Sequence, residues 1–266
     1  MKHLLALAIK ASIEAGDAIL SVYNGSRASE VVLQKENDTP LTVADREAHA
    51  VISKNLNYAS YPVLSEEGRD IPYAERAEWE HFWMVDPLDG TKEFLKRNGQ
   101  FTVNIALIRQ NVPVLGVIYQ PTEDILYFAA AGTGSYKCVN AKSKWNGSLA
   151  ELQQASDKLP VQQKRDSYIV VVSRSHLSDE TQRFIDELKL QHGNVETASI
   201  GSSLKICLIA EGSADIYPRF APTMEWDTAA GDAIARYAGK QVLHNQSGLP
   251  LPYNKPDLLN DWFIVN

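Results

Sequence analysis

Three stretches of this chain place carboxylates where metal and phosphate chemistry can use them: Ser65-Glu66-Glu67, Asp86-Pro87-Leu88-Asp89-Gly90-Thr91 and Trp226-Asp227. Oxygen donors without histidine or cysteine suit a hard cation such as Mg²⁺ rather than zinc. Pro87 sets a bend that can turn the Leu88 carbonyl toward the same point as Asp86 and Asp89. Gly90 lets the main chain approach a bulky anion. Thr91 then starts a helix-like segment, and exposed N–H groups at a helix start favour phosphate. Glu66, Asp86, Asp89 and Asp227 together carry −4, and a phosphate monoester adds about −2. Such an assembly repels itself at low dielectric unless two or three divalent ions neutralise it. The chemistry it suits is metal-assisted phosphoryl transfer to water.

Each of these residues also has an ordinary structural use. Paired glutamates in a loop commonly form a solvated face. An aspartate ahead of a helix is commonly a cap, which applies to Asp227 and to Asp45 in Thr42-x-x-Asp45. Asp86 fits that reading least. It follows the apolar run His81-Phe82-Trp83-Met84-Val85, so its carboxylate emerges at a buried edge and needs a partner.

The elements that hold these residues follow from periodicity. Leu4, Leu7, Ala8, Ala11, Ala15, Ala18, Ile19 and Val22 fall at helical spacing and predict an amphipathic first helix. Its apolar run breaks at Lys10, too early for a secretory signal. A strand at Val31–Gln34, a helix from Thr42 to Tyr58 and a strand at Pro62–Ser65 lead to the second carboxylate stretch. Strands at Phe101–Arg109, Val112–Gln120 and Asp124–Ala130 read as antiparallel neighbours in one sheet. The polar stretch 140–164 closes an N-terminal α+β domain of residues 1–162. Residues 163–266 form a C-terminal α/β domain, in which strands at Ser167–Ser173, Val195–Ile200 and Ala214–Tyr217 alternate with helices at Asp179–Leu190 and Ser203–Glu211. A helix at Thr228–Tyr237 and short strands at Gln241–His244 and Trp262–Val265 complete it.

Composition narrows the class. The chain has 266 residues, 33 acidic and 26 basic, for a net charge of −7. A hydrophobic share of 44% excludes a disordered chain, and two widely spaced cysteines exclude a disulfide scaffold. The acidic balance argues against nucleic acid as a partner. No segment reaches the apolar length of a membrane span, and the cysteine usage fits a reducing cytoplasm. Much of the net charge belongs to the candidate carboxylates, Asp45 among them, rather than to a generally acidic surface.

At these residues the sequence resembles a known family. Leu64-Ser65-Glu66-Glu67, Asp86-Pro87-Leu88-Asp89-Gly90-Thr91 and Trp226-Asp227-Thr228-Ala229-Ala230-Gly231-Asp232 are similar to three linked signatures of the inositol monophosphatase superfamily, in the family's order. Lys92-Glu93, Ser173-Arg174-Ser175-His176, Gly201-Ser202-Ser203-Leu204-Lys205 and Tyr217-Pro218-Arg219-Phe220 resemble its 3′(2′),5′-bisphosphate nucleotidase branch. The resemblance implies a layered αβαβα sandwich of mixed α+β and α/β character, with the active site between its halves. It implies a lithium-sensitive, Mg²⁺-dependent phosphatase with two or three ions per site. Adenosine 3′,5′-bisphosphate would be hydrolysed to AMP and phosphate, and its sulfated precursor would also serve.

By the same resemblance Glu66, Asp86, the Leu88 carbonyl, Asp89 and Asp227 would hold metal. Thr91 paired with Asp45 would orient the attacking water, and Gly90 and Thr91 would meet the scissile phosphate. His176, Ser202, Lys205 and Arg219 would face the nucleotide and its second phosphate. The protein would act as a monomer or homodimer in the cytoplasm, and peripheral attachment to the inner face of the inner membrane is compatible with this reading. Two alternatives stand beside it: an inositol or sugar monophosphatase of the same superfamily, and a non-catalytic module that senses nucleotide or Mg²⁺. An aspartyl-phosphate enzyme with a DxDxT pattern is disfavoured, because Asp86 and Asp89 are three apart with Pro87 between them.

Overall fold

The computed structural model describes residues 1–25, 31–34, 40–161, 164–174 and 178–266. The N-terminal part comprises α1 (Lys2–Asn24), β1 (Val31–Gln34), β2 (Pro40–Thr42), α2 (Val43–Leu56), β3 (Val63–Ser65), α3 (Tyr73–Arg76), β4 (His81–Asp89) and α4 (Thr91–Leu95). Next come β5 (Thr102–Arg109), β6 (Val112–Gln120), β7 (Ile125–Ala130), β8 (Gly134–Val139), α5 (Ala141–Lys144), α6 (Leu149–Gln154) and β9 (Asp157–Lys158). The remainder comprises β10 (Tyr168–Ser173), α7 (Asp179–His192), β11 (Val195–Ile200), α8 (Leu204–Glu211), β12 (Tyr217–Arg219), α9 (Glu225–Tyr237), β13 (Val242–His244) and β14 (Phe263–Val265).

Strands β3 to β9 lie in sequence order in one seven-stranded sheet. Only the β3–β4 pair is parallel; the others are antiparallel. The expected neighbours β5, β6 and β7 are adjacent, as the short turns between them require. Side chains on β4 alternate between faces. Trp83 and Val85 pack with α1 and α2, whereas Phe82 and Met84 pack with α8 and α9. Gly116 on β6 permits the second contact, since a Cβ there would sit 2.2 Å from the Ala230 carbonyl of α9.

The second sheet region joins the parallel pair β10–β11 to the antiparallel order β12–β14–β13 through a bridge between Val170 and Ile216. Val171 faces α8 and α9, while Val170 and Val172 face Ile185 and Leu188 of α7. The layers therefore run α1/α2, seven-stranded sheet, α8/α9, second sheet, α7. This is the αβαβα sandwich. Among the described residues, no helix is long and apolar enough to cross a membrane.

The expected domain division at 162/163 falls on residues outside the described set. Most element boundaries differ from expectation by one or two residues, and larger differences fall in the second half and at β8. The helix expected to start at Thr228 begins at Glu225, so Asp227 lies inside its first turn rather than ahead of it. The strand expected at Ala214–Tyr217 is Tyr217–Arg219. Strand β8, which the residue pattern does not predict, forms a hairpin with β7.

Candidate active site

The ends of β3 and β4 build the site. Ser65 pairs with Val85 in parallel register, so Glu66 and Asp86 leave the sheet side by side. The Glu66 N–H donates to the Val85 carbonyl at 3.1 Å. Beyond that point β4 carries one residue more than β5, because Asp86 faces Asn104 and Asp89 faces Thr102. Pro87 sits in this bulge, where a missing N–H is tolerated. Asp86 Oδ1 accepts the Leu88 N–H at 3.0 Å and pins the turn. Asp227 arrives from the other half of the chain, its Oδ2 accepting the Met224 N–H at 2.8 Å. One carboxylate oxygen from each of Glu66, Asp86 and Asp227 lies within 4.8 Å of the other two.

These charges oppose one another. Burial pushes the Asp86 carboxyl well above the usual carboxylate range, and Glu66, Asp89, Asp227 and Asp45 push it further. Asp227 is raised by burial first, then by Asp89 and Glu66, against the pull of the Met224 N–H and Arg219. Asp45 is pushed up to about 7, chiefly by burial, although hydrogen bonds from Thr42 oppose the rise. A cluster that cannot ionise fully by itself is suited to sharing a cation. Its all-oxygen donor set fits a hard divalent ion.

Asp89 stands beside this group and is held by Ser203, whose Oγ lies 2.6 Å from Asp89 Oδ2. A pocket of about 160 Å³ opens next to it, lined by Asp89, Gly90, Ser202, Lys205, Arg219 and Asp227 among others. Gly90 has φ +95°, and a Cβ there would meet the Gln100 carbonyl at 3.0 Å and the Ser202 Cβ at 3.3 Å. Any side chain would therefore crowd the wall between β4 and the Ser202 turn. Lys205 Nζ donates to the Ser202 carbonyl at 2.6 Å, and Arg219 Nη1 donates to Ser173 Oγ at 2.6 Å. Ser202 Oγ and Arg219 Nε are buried without a hydrogen-bond partner among the described residues. Two orphaned polar atoms and two cationic side chains on one pocket suit an anionic, hydroxylated ligand.

The sequence model of the Inositol monophosphatase family matches residues 1–263. The chain belongs to the inositol monophosphatase family. Among its relatives, the 3′(2′),5′-bisphosphate nucleotidase CysQ of Salmonella typhimurium is 47% identical over 255 residues, 94% of each chain. CysQ of Escherichia coli is 46% identical over 256 residues, 95% of each chain. The crystal structure of CysQ from Bacteroides thetaiotaomicron superimposes with a TM-score of 0.91 at 53% identity, covering 98% of this chain and 96% of that one. The IMPase of Thermotoga maritima shares the fold at 21% identity, with a TM-score of 0.74 over 100% of this chain and 92% of its own.

Within this family fold, the structure brings Glu66, Asp86 and Asp227 together, with Leu88 and Asp89 on the adjoining bulge. Gly90, Ser202, Lys205 and Arg219 share the neighbouring pocket. Thr91 opens α4 beside it. His176 lies outside the described residues. Asp45 forms the expected capping box, accepting hydrogen bonds from the Thr42 N–H at 2.8 Å and from the Thr42 hydroxyl. Among the described residues, no hydrogen bond joins Asp45 to Thr91.

Sequence reasoning assigned no role to Ser203 or Asn104. Asn104 Nδ2 donates to Ser203 Oγ at 2.8 Å and reaches Asp89 Oδ2 at 3.4 Å. The available signal was a lone amide in the apolar strand Thr102-Val103-Asn104-Ile105-Ala106-Leu107, since a buried polar side chain requires a partner.

Proposed function

We propose that the chain is a divalent-metal-dependent phosphomonoester hydrolase that cleaves the 3′-phosphate of adenosine 3′,5′-bisphosphate, giving AMP and phosphate. The observation that carries this reading is the juxtaposition of the Glu66–Asp86–Asp227 cluster with a pocket holding Lys205 and Arg219. One end suits metal and the other suits a second phosphate. The CysQ relatives, named as 3′(2′),5′-bisphosphate nucleotidases over nearly their full length, support the same substrate class.

On this reading Glu66, Asp86, the Leu88 carbonyl, Asp89 and Asp227 hold two or three Mg²⁺ ions at the junction of the 1–162 and 163–266 domains. When bound, Mg²⁺ offsets the carboxylate charge, activates water and stabilises the transferring phosphoryl group. Gly90 leaves the main chain open to the scissile phosphate, and Thr91 orients the attacking water. Asp45 Oδ2 is occupied by Thr42, which leaves Oδ1 for the water's proton. Lys205, Arg219, Ser202 and His176 hold the 5′-phosphate and nucleoside. Arg219 is the more orientation-specific of the two cations because its guanidinium is a rigid fork.

The test is a turnover panel of adenosine 3′,5′-bisphosphate, its 5′-phosphosulfate analogue, 5′-AMP, inositol 1-phosphate and fructose 1,6-bisphosphate, run with and without Mg²⁺ and Li⁺. The expected result is Mg²⁺-dependent, Li⁺-inhibited release of phosphate, fastest from the 3′,5′-bisphosphates. Preference for inositol 1-phosphate, or binding of bisphosphate without phosphate release, would overturn it.

A further inference from the structure

Residues 254–260 carry no recognisable motif, yet they grip the start of α9. The Glu225 carboxylate is fully buried and accepts the Asn254 N–H at 2.6 Å, the Lys255 N–H at 3.0 Å and the Lys255 ammonium at 2.6 Å. The Glu225 N–H donates to the Leu258 carbonyl at 2.9 Å, and Asn260 Nδ2 donates to the Met224 carbonyl at 2.8 Å. Met224 is the residue whose own N–H holds the Asp227 carboxylate.

The same segment takes hold of the other side of the carboxylate cluster through Arg76. This buried guanidinium donates to Asn254 Oδ1 at 2.8 Å, the Lys255 carbonyl at 2.6 Å and the Pro256 carbonyl at 2.9 Å. Asn254 Nδ2 donates back to the Arg76 carbonyl at 2.8 Å. Arg76 belongs to α3, within the connection that runs from Glu66 to Asp86.

We propose that segment 254–260, keyed by Arg76, is a clamp that holds Asp227 against Glu66 and Asp86 and so sets the cluster's affinity for a divalent cation. The proposal rests on reading the cluster as a metal site. Three carboxylates that repel one another drift apart unless the elements carrying them are fixed. A brace that fixes them before the ion arrives lowers the cost of binding, as preorganisation does generally. Arg76, Asn254 and Lys255 are positioning residues, acting through the Met224–Asp227 turn.

The experiment titrates Mn²⁺ calorimetrically into the metal-free, full-length protein and into Arg76→Lys, Lys255→Met and Lys137→Met. Lys137 is the control, because its ammonium pairs with the buried Glu211 at 2.6 Å and joins β8 to α8 instead. The expected result is Mn²⁺ affinity about ten-fold weaker in Arg76→Lys, the scale of losing an outer partner of a metal ligand. A smaller loss is expected in Lys255→Met and none in Lys137→Met. KM at saturating Mn²⁺ should stay at the parent value throughout. Parent-like affinity in Arg76→Lys, or an equal loss in Lys137→Met, overturns the clamp. A parent that binds no Mn²⁺ overturns the metal reading instead. Should Arg76→Lys fail to fold, Lys255→Met decides alone, since it keeps both main-chain donors to Glu225.

Discussion

Ser203 and Asp89 meet where the two halves of the chain touch, with Ser203 Oγ 2.6 Å from Asp89 Oδ2. The same Oγ lies 2.7 Å from the Asp227 carbonyl oxygen, and its single proton can serve only one of these acceptors at a time. One hydroxyl thus connects a carboxylate on β4 to the main chain of α9.

Ser203→Ala should therefore disturb both. Asp89 loses its short hydrogen bond, and the Asn104 NH₂ group keeps only the 3.4 Å contact to Asp89, while its Oδ1 still accepts from the Thr102 hydroxyl. A buried amide left poorly paired costs about 1–3 kcal/mol, measurable by urea denaturation. The Mg²⁺ concentration needed for half-maximal activity should rise about ten-fold, because Asp89 is no longer oriented. An alanine variant as stable and as readily activated as the parent would show the hydroxyl to be idle.

Asp86→Asn should separate stability from activity. The amide oxygen can still accept the Leu88 N–H, so the bulge survives. Asp86 in the folded protein holds its proton to a higher pH than the ordinary carboxylate value of 3.8. As pH rises above about 4, the unfolded chain ionises first, so this group lowers folding stability with rising pH. In EDTA at pH 7, Asp86→Asn is expected to melt at a higher temperature than the parent and to show a flatter pH profile. Turnover should fall by more than the ~10–100-fold typical of losing an outer partner. Parallel melting profiles from pH 4 to 8 would contradict the electrostatic account.

How much of this was legible beforehand depended on what each residue bonds to. Asp86 could be read because an apolar strand ends on an acid, and Asp45 because a capping box is a local pattern of side chain and backbone. Glu225 could not. It lies ahead of the helix expected at Thr228 and nothing local marks it, yet it is fully buried and accepts main-chain N–H groups that begin 29 residues away. No side-chain pattern announces backbone donors. Strand β8 was missed for a related reason. Gly134, Ser135 and Lys137 are weak strand formers, and the segment Gly134–Val139 is held as a strand by its pairing with β7. Asp227 was placed one helical turn too early because the cap that starts α9 is the Met224 main chain rather than a side chain with its own signature.

Arg219 offers a test of substrate preference. Its Nη1 is engaged with Ser173 and its Nη2 with the Pro222 carbonyl, while Nε is buried beside the pocket without a partner among the described residues. Arg219→Ala should raise KM for adenosine 3′,5′-bisphosphate by roughly ten- to a hundred-fold, the value of a charge-assisted hydrogen bond of about 1.5–3 kcal/mol. Hydrolysis of a 3′-monophosphate should change far less. Arg219→Lys should restore little, because an ammonium cannot reproduce the fork that also holds Ser173. Equal losses on both substrates would remove Arg219 from the second-phosphate role.

Asp232 provides a pH test away from the carboxylate cluster. It lies on α9 with its Oδ1 3.1 Å from Arg236 Nη2, yet it is 1% exposed and its carboxyl is pushed up to about 6. Burial is the cause, outweighing the ion pair with a partly exposed arginine. Because the folded value exceeds the unfolded 3.8, the unfolded chain binds fewer protons between about pH 4 and pH 6. Stability must fall across that window and level off above it. At 1.36 kcal/mol per pKa unit, the loss from this group is about 3 kcal/mol. Asp232→Asn removes the titration, so its stability relative to the parent should climb by about that amount from pH 4 to pH 7. Measuring both proteins in EDTA, and taking the difference, subtracts the contribution of the carboxylate cluster common to them. A difference that stays constant with pH would mean that Arg236 keeps Asp232 ionised after all.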